Sequence, residues 1–248
     1  MHVPGRTYLL SLSAVHDVRA SDLQGSALVL GASRKAVYLS DIDAAPPVTT
    51  LDTQSDVFAV AQQQHLIYTG TRSGAVARFD TRIRAKAHRL AAPGSAIVHL
   101  RLTRAGAQLL VACMDGRLAS YDLRFAARPV VAYAGHVNSV THRLGVAVDA
   151  AERFVFAAGE DARVRGWSLG SGAPLVPPSS PLDNSSPFET DADAEGEVSC
   201  SPFGTRFAHP LRALQVTDGE GEGDGDGLCL WGAGGEAVWR WWLGQRAC

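Results

Sequence analysis

The sequence predicts an all-β protein built from one antiparallel unit repeated along the chain. Three observations carry this. Short apolar runs alternate with turn-forming residues through most of the 248 positions. Strand ends with an aspartate recur at Asp41, Asp80 and Asp122, spaced 39 and 42 residues apart, and a similar end at Ser168 follows 46 residues on. Glycine (25) and proline (12) are frequent, as many short strands joined by turns require. A period of about 40–45 residues suits a unit that cannot bury its apolar face alone and must stack on its neighbours.

Taken in order, Tyr8–Leu12 alternates enough for a strand. Ser26–Gly31 and Ala36–Leu39 flank a hairpin turn at Ser33-Arg34-Lys35, and Val48–Leu51 is a short β-rich segment. The second unit has strands at Val57–Ala61, Leu66–Thr69 and Ala75–Phe79, with turns at Gln62–Gln64 and Ser73-Gly74. The third has Ala96–Leu100, Leu109–Cys113, Leu118–Tyr121 and Val130–Tyr133, with Asp115-Gly116 as its tight turn. The fourth has Leu144–Val148, Phe154–Ala158 and Val164–Trp167 around Glu160-Asp161. Leu211–Val216, Leu228–Trp231 and Ala237–Trp242 form the fifth. Residues 176–205 are rich in Pro, Ser and acids. They bury too little apolar surface to offset their ordering entropy, so the expectation is a disordered insertion. Residues 218–227 alternate glycine with acids and read as an acidic loop, giving one domain over 1–248 with two insertions.

From Met114 to Trp167 the chain carries Asp115-Gly116, Tyr121-Asp122, Gly135-His136, Glu160-Asp161 and Val164–Trp167 in that order. This order and spacing resemble the WD repeat, the blade unit of one class of β-propeller. The fold class is therefore an all-β WD-repeat propeller with about five recognisable blades. Seven blades would need roughly 300 residues. The expectation is an incomplete seven-bladed ring whose missing blades precede Met1.

Composition narrows the function. Residues 182–227 hold eleven acids and two bases; elsewhere 21 bases face 14 acids, a formal +7 carried almost wholly by arginine. A mildly basic body fits a solvated surface; the sharper reading is a basic patch for nucleic acid or an acidic partner, and of these nucleic acid is not expected. The four cysteines form no C-x-x-C pair, which points to a reducing compartment, nucleus or cytoplasm, without a zinc site. No apolar run approaches the roughly 18 residues of a membrane span. The Gly/acid run matches no calcium-loop pattern, so neither metal nor cofactor is expected. Ser180, Ser186 and Ser201 each precede proline and are candidates for proline-directed phosphorylation.

His136, Asp161 and Ser139 would look catalytic in isolation. The WD resemblance implies instead that His136, Asp161 and Trp167 belong to a buried structural network, with Asp115 capping its turn. Ala157 stands where that network has a hydroxyl, so it is incomplete in this blade. No nucleophile, base and orienting group cluster elsewhere, and no enzymatic activity is expected.

The sharpest feature is duplicated: Phe79-Asp80-Thr81-Arg82 and Tyr121-Asp122-Leu123-Arg124. Aromatic-Asp-x-Arg at equivalent strand ends sets two arginines on one face. This resembles the paired box of the cullin-4-associated factors, substrate receptors of cullin–RING ubiquitin ligases, and is most like the fourth member. The resemblance covers residues 56–175 well and the last blade loosely. It implies that Arg82 and Arg124, with Asp80 and Asp122, dock the damaged-DNA-binding adaptor of the ligase while another face holds an unknown protein substrate. Ser40-Asp41-Ile42-Asp43 departs from the box, having neither the aromatic nor the arginine. The alternative is a general WD-repeat interaction scaffold, in RNA processing or chromatin, unrelated to ubiquitination.

Overall fold

Each tight turn brings two half-apolar ribbons into antiparallel register, and the apolar face so formed must then be covered. The computed structural model describes residues 15–44, 47–83, 88–91, 94–103, 106–175, 202–219 and 227–243. Among these residues there are eighteen strands in five antiparallel sheets, and no α-helix. The first blade holds β1 (Ala20–Gln24), β2 (Ala27–Ala32), β3 (Lys35–Leu39) and β4 (Thr49–Asp52). The second holds β5 (Val57–Gln63), β6 (Leu66–Thr71), β7 (Val76–Asp80) and β8 (His88–Ala91). The third holds β9 (Ile97–Leu102), β10 (Gln108–Cys113), β11 (Leu118–Asp122) and β12 (Pro129–Ala132). In the fourth are β13 (Val146–Val148), β14 (Phe154–Ala158) and β15 (Val164–Ser168), and in the fifth β16 (Ala213–Gly219), β17 (Gly227–Gly234) and β18 (Ala237–Trp242). Within every sheet the spatial order is the chain order, as a propeller blade requires.

The same backbone bond closes four of the blades. The residue after the recurring aspartate (Ser168 in the fourth blade) donates to a carbonyl in the turn between the first two strands: Ile42 to Ser26, Thr81 to His65, Leu123 to Ala107 and Leu169 to Arg153, at 2.8–2.9 Å. Sixteen residues separate donor and acceptor each time. The repeat read from spacing is thus a repeat in hydrogen bonding.

Blades stack by inserting the first residue of one inner strand into the second strand of the blade before it. Val57 opens β5 and Ile97 opens β9, and both are fully buried. They face glycines: a Cβ on Gly31 would lie 2.8 Å from Val57 Cγ1, and one on Gly70 would lie 2.5 Å from Ile97 Cγ2. Contiguous apolar clusters join each consecutive pair from the first blade to the fifth. Fully burying one such aliphatic side chain contributes about 1.5–3 kcal/mol. Polar contacts add to the first junction. Asp56, leading into β5, accepts Arg19 Nη1 at 3.1 Å, Ser33 Oγ at 3.1 Å and Arg34 N at 3.2 Å.

Several expectations need correction. Gln62 and Gln63 lie in β5 and not in a turn; Gln62 is buried, and its Nε2 donates to the Asp22 and Ala27 carbonyls at 2.9 Å. β1 and β8 were not anticipated, because Ala20–Gln24 and His88–Ala91 are too polar to show strand alternation. The acidic loop is shorter than 218–227: Asp218 pairs with Leu228 and Gly219 with Gly227 in the β16–β17 ladder. Within 176–205, Pro202–Gly204 form a turn and Phe203 stacks on Phe156 at 6.2 Å. The rest of both insertions, the Tyr8–Leu12 strand and the three Ser-Pro serines lie outside the described residues.

Gly70→Ala should destabilise the protein by about 1–3 kcal/mol through overpacking against Ile97. Ile97→Ala should cost about 2–5 kcal/mol. If the two side chains share one space, the double variant loses less than the sum in urea unfolding. Strict additivity would show that the glycine is not there to admit Ile97.

Candidate functional site: paired aspartate–arginine turns

Asp80 and Asp122 are the last residues of β7 and β11, paired with the first residues of the neighbouring strands, Leu66 and Gln108. The turns that follow match in every bond. Asp80 Oδ1 accepts the backbone N–H of Arg82 at 3.0 Å, and Asp122 Oδ1 that of Arg124 at 2.8 Å. Each guanidinium then folds back on its own aspartate. Arg82 Nε and Nη2 donate to the two Asp80 oxygens at 3.0 and 2.7 Å, and Arg124 Nε and Nη2 to those of Asp122 at 3.2 and 3.1 Å. Ile83 N and Phe125 N donate to the Asp80 and Asp122 carbonyls at 3.4 and 3.0 Å, closing a β-turn in each blade.

Both arginines remain at the surface, with side chains 63% and 75% exposed. The bonds from Arg82 hold the Asp80 carboxyl down at about 2, against an ordinary 3.8. Arg124 likewise lowers Asp122. The aspartates therefore stay ionised at any physiological pH and fix the guanidiniums as planar donors with free edges. Ile83 (57%) and Phe125 (78%) follow the arginines and are also exposed. Sequence reasoning missed this matched Arg–apolar pair; the residue after each Asp-x-Arg was the available signal. The first blade keeps the turn but not the charge: Asp43 N donates to Asp41 Oδ1 at 3.0 Å, with a carboxylate where the arginine would stand.

The remaining predicted residues bond to groups within the fold, and they do not form one chain of hydrogen bonds. The His136 ring nitrogens each lie 3.2 Å from a carbonyl, Nδ1 from Gly116 and Nε2 from Ala158, bridging the third blade's turn to the fourth blade's second strand. Burial lowers its pKa against the pull of those carbonyls, so the neutral ring donates to one of them at a time. Asp161 turns away to Arg165, at 3.0 and 2.6 Å. Trp167 donates Nε1 to the Ala134 carbonyl at 2.9 Å and packs beside Tyr133, whose hydroxyl donates to the Leu169 carbonyl at 2.7 Å. Ser139 is bound to Glu160, not to His136, at 2.6 Å. Asp115 accepts Arg117 N at 3.2 Å and Nε at 2.7 Å, repeating the Asp-x-Arg staple at a different kind of turn. Cys113 is a buried core thiol whose pKa burial pushes up to about 12. Among the described residues no cluster of His, Cys, Asp and Glu is arranged to hold a metal ion.

Repeating antiparallel sheets of three or four strands, matched turns and a Gly-His clamp between blades define a WD-repeat β-propeller. The family model described as the DDB1- and CUL4-associated factor 4 beta-propeller domain matches residues 20–192, and the chain belongs to that family. Human DDB1- and CUL4-associated factor 4-like protein 2 is 35% identical over 135 residues, 52% of this chain and 34% of that protein. The uncharacterized WD repeat-containing protein F47D12.9 of Caenorhabditis elegans is 48% identical over 58 residues, 23% of this chain and 10% of that protein. The chain thus matches about a third or less of either relative's length. The crystal structure of the computationally designed Ika4 protein aligns with a TM-score of 0.51 at 16% identity, covering 77% of this chain and 93% of that one, a likeness of fold alone.

Because the folded-state value of Asp80 is depressed, its contribution is present above the ordinary 3.8 and is lost as pH falls towards about 2. Carboxyl-carbon NMR should find Asp80 titrating near about 2, and near 3.8 in Arg82→Ala. An ordinary value in the wild type would mean that the guanidinium is not held in this fork.

Proposed function

We propose that this chain is a non-enzymatic substrate receptor of a cullin-4 RING ubiquitin ligase, docking the damaged-DNA-binding adaptor through Arg82 and Arg124 and holding a protein substrate elsewhere on the propeller. The observation that carries the reading is the identity of the two turns in adjacent blades, each presenting an aspartate-held guanidinium beside an exposed apolar side chain. Membership of the factor 4 propeller family supports it. Pre-organisation matters here. A long arginine already fixed by its own aspartate loses little rotamer freedom on binding, a cost that otherwise runs to about 0.5–1.5 kcal/mol per side chain. Ile83 and Phe125 supply the apolar part of such an anchor. The receptor's proposed compartment is the nucleus or cytoplasm, where buried unpaired thiols such as Cys113 and Cys229 persist.

One observation favours a second reading, a scaffold with no ligase partner. Each guanidinium is already satisfied within its own turn, as Arg117 is, so the Asp-x-Arg pair is also a sufficient turn staple. Pull-down with the adaptor separates the two. Arg82→Ala and Arg124→Ala should each weaken adaptor binding by about 2 kcal/mol, roughly thirtyfold, and the double variant should reduce capture to background. Arg→Lys should not restore it fully, because lysine lacks the planar fork. Circular dichroism must show each variant folded. Undiminished capture by the folded double variant would leave the staple as the whole role.

A further inference from the structure

At the hub, where the inner strands of the blades converge, the structure forms an open cavity of about 670 Å³. Its wall includes Arg19, Arg101, Arg143 and Arg212, with His99 and His142, and Asp22 is its one acid among the described residues. Arg82 and Arg124 take no part in it. We infer that this hub binds an extended acidic peptide, whose carboxylates are taken by Arg101, Arg143 and Arg212.

Among the described residues this charge is only partly compensated. Arg19 is committed to Asp17 and Asp56, each at 3.1 Å. Among the described residues, Arg101, Arg143 and Arg212 pair with no carboxylate. Asp22 cannot serve them freely, because its Oδ2 accepts Gln62 N at 2.7 Å. His99 adds a second sign of a missing partner: its Nε2 is buried without a hydrogen bond, and polar atoms in that state are rare in folded proteins. Burial, with Arg101 beside it, holds His99 neutral down to about pH 4, so the ring adds no charge to the wall at neutral pH.

Shape selects a peptide. Each inner strand is the edge of its sheet, so its outer row of backbone groups faces the cavity and can bond an extended chain. The arginines are spread along the wall. Arg143 and Arg212 precede β13 and β16 at one end, and Arg101 is the fifth of the six residues of β9. Since every blade repeats the same up-and-down order, the inner strands run the same way. Arg101 therefore sits roughly 10 Å deeper at about 3.3 Å per residue. That spread matches carboxylates along an extended chain. Among the described residues Phe58 is the one benzenoid or indole ring in the wall, too little aromatic surface for stacked bases.

The test needs no ligase adaptor, so its outcome is separate from that of the docking experiment. Fluorescence anisotropy with a labelled oligoglutamate peptide should show saturable binding that weakens as salt is raised. Arg143→Glu and Arg212→Glu should each weaken it by roughly tenfold or more, and the corresponding Gln variants less. Both side chains are exposed, so the fold should survive, as thermal melting would verify. Arg128→Glu, exposed and outside the cavity, makes the same charge change and should leave binding intact. Three results would overturn the inference: no binding by the wild type, equal weakening by Arg128→Glu, or binding of tripolyphosphate but not of the peptide.

Discussion

Everything in this fold depends on how closely one blade can approach the next. A twisted four-stranded sheet has two faces, and both must be covered by neighbours. Val57 and Ile97 enter the preceding blades at Gly31 and Gly70, where a methyl group would already overlap them. That approach brings Asp56 onto the turn of the first blade and lays the edges of β1, β5 and β9 around a common hub. The fourth and fifth blades meet as tightly, since a Cβ on Gly145 would stand 2.6 Å from Leu214 N. Local strand preference would be worth little without this contact, because isolated antiparallel ribbons are marginal in water.

A second, smaller device recurs at the turns. An aspartate at the end of a strand accepts the N–H two residues on, the arrangement in which Asp mimics a backbone turn. An arginine at that second position returns to the same carboxylate. At Asp115 this merely staples a hairpin; at Asp80 and Asp122 it also leaves two matched guanidiniums on the surface with Ile83 and Phe125 beside them. The same chemistry thus provides local order and, under the proposed function, a docking element. Location in the blade, not residue type, separates the two uses.

The hub and the paired turns divide the molecule into two kinds of surface. The turns are convex, exposed and pre-organised, suited to a fixed partner. The hub is concave and carries charge that the chain itself does not balance among its described residues. A receptor in the proposed sense needs one surface of each kind, one constant and one selective.

Periodicity made most of the fold legible in the sequence. Strands such as Leu109–Cys113 and Phe154–Ala158 are apolar enough to declare themselves, and the Asp spacing gave the blade length because each blade closes through one recurring bond. The Asp-x-Arg turns were equally legible, being interactions between residues two apart. Polar strands were not. Ala20–Gln24 and His88–Ala91 form only because a neighbouring strand offers a ladder, and Gln62 is buried only because Asp22 and Ala27 from another blade satisfy it. The links of His136 to Gly116 and Ala158 and the gathering of Arg101, Arg143 and Arg212 likewise came only with the tertiary structure. Sequence determines contacts whose partners are a turn apart. Those between residues forty or a hundred apart exist only once the blades have stacked.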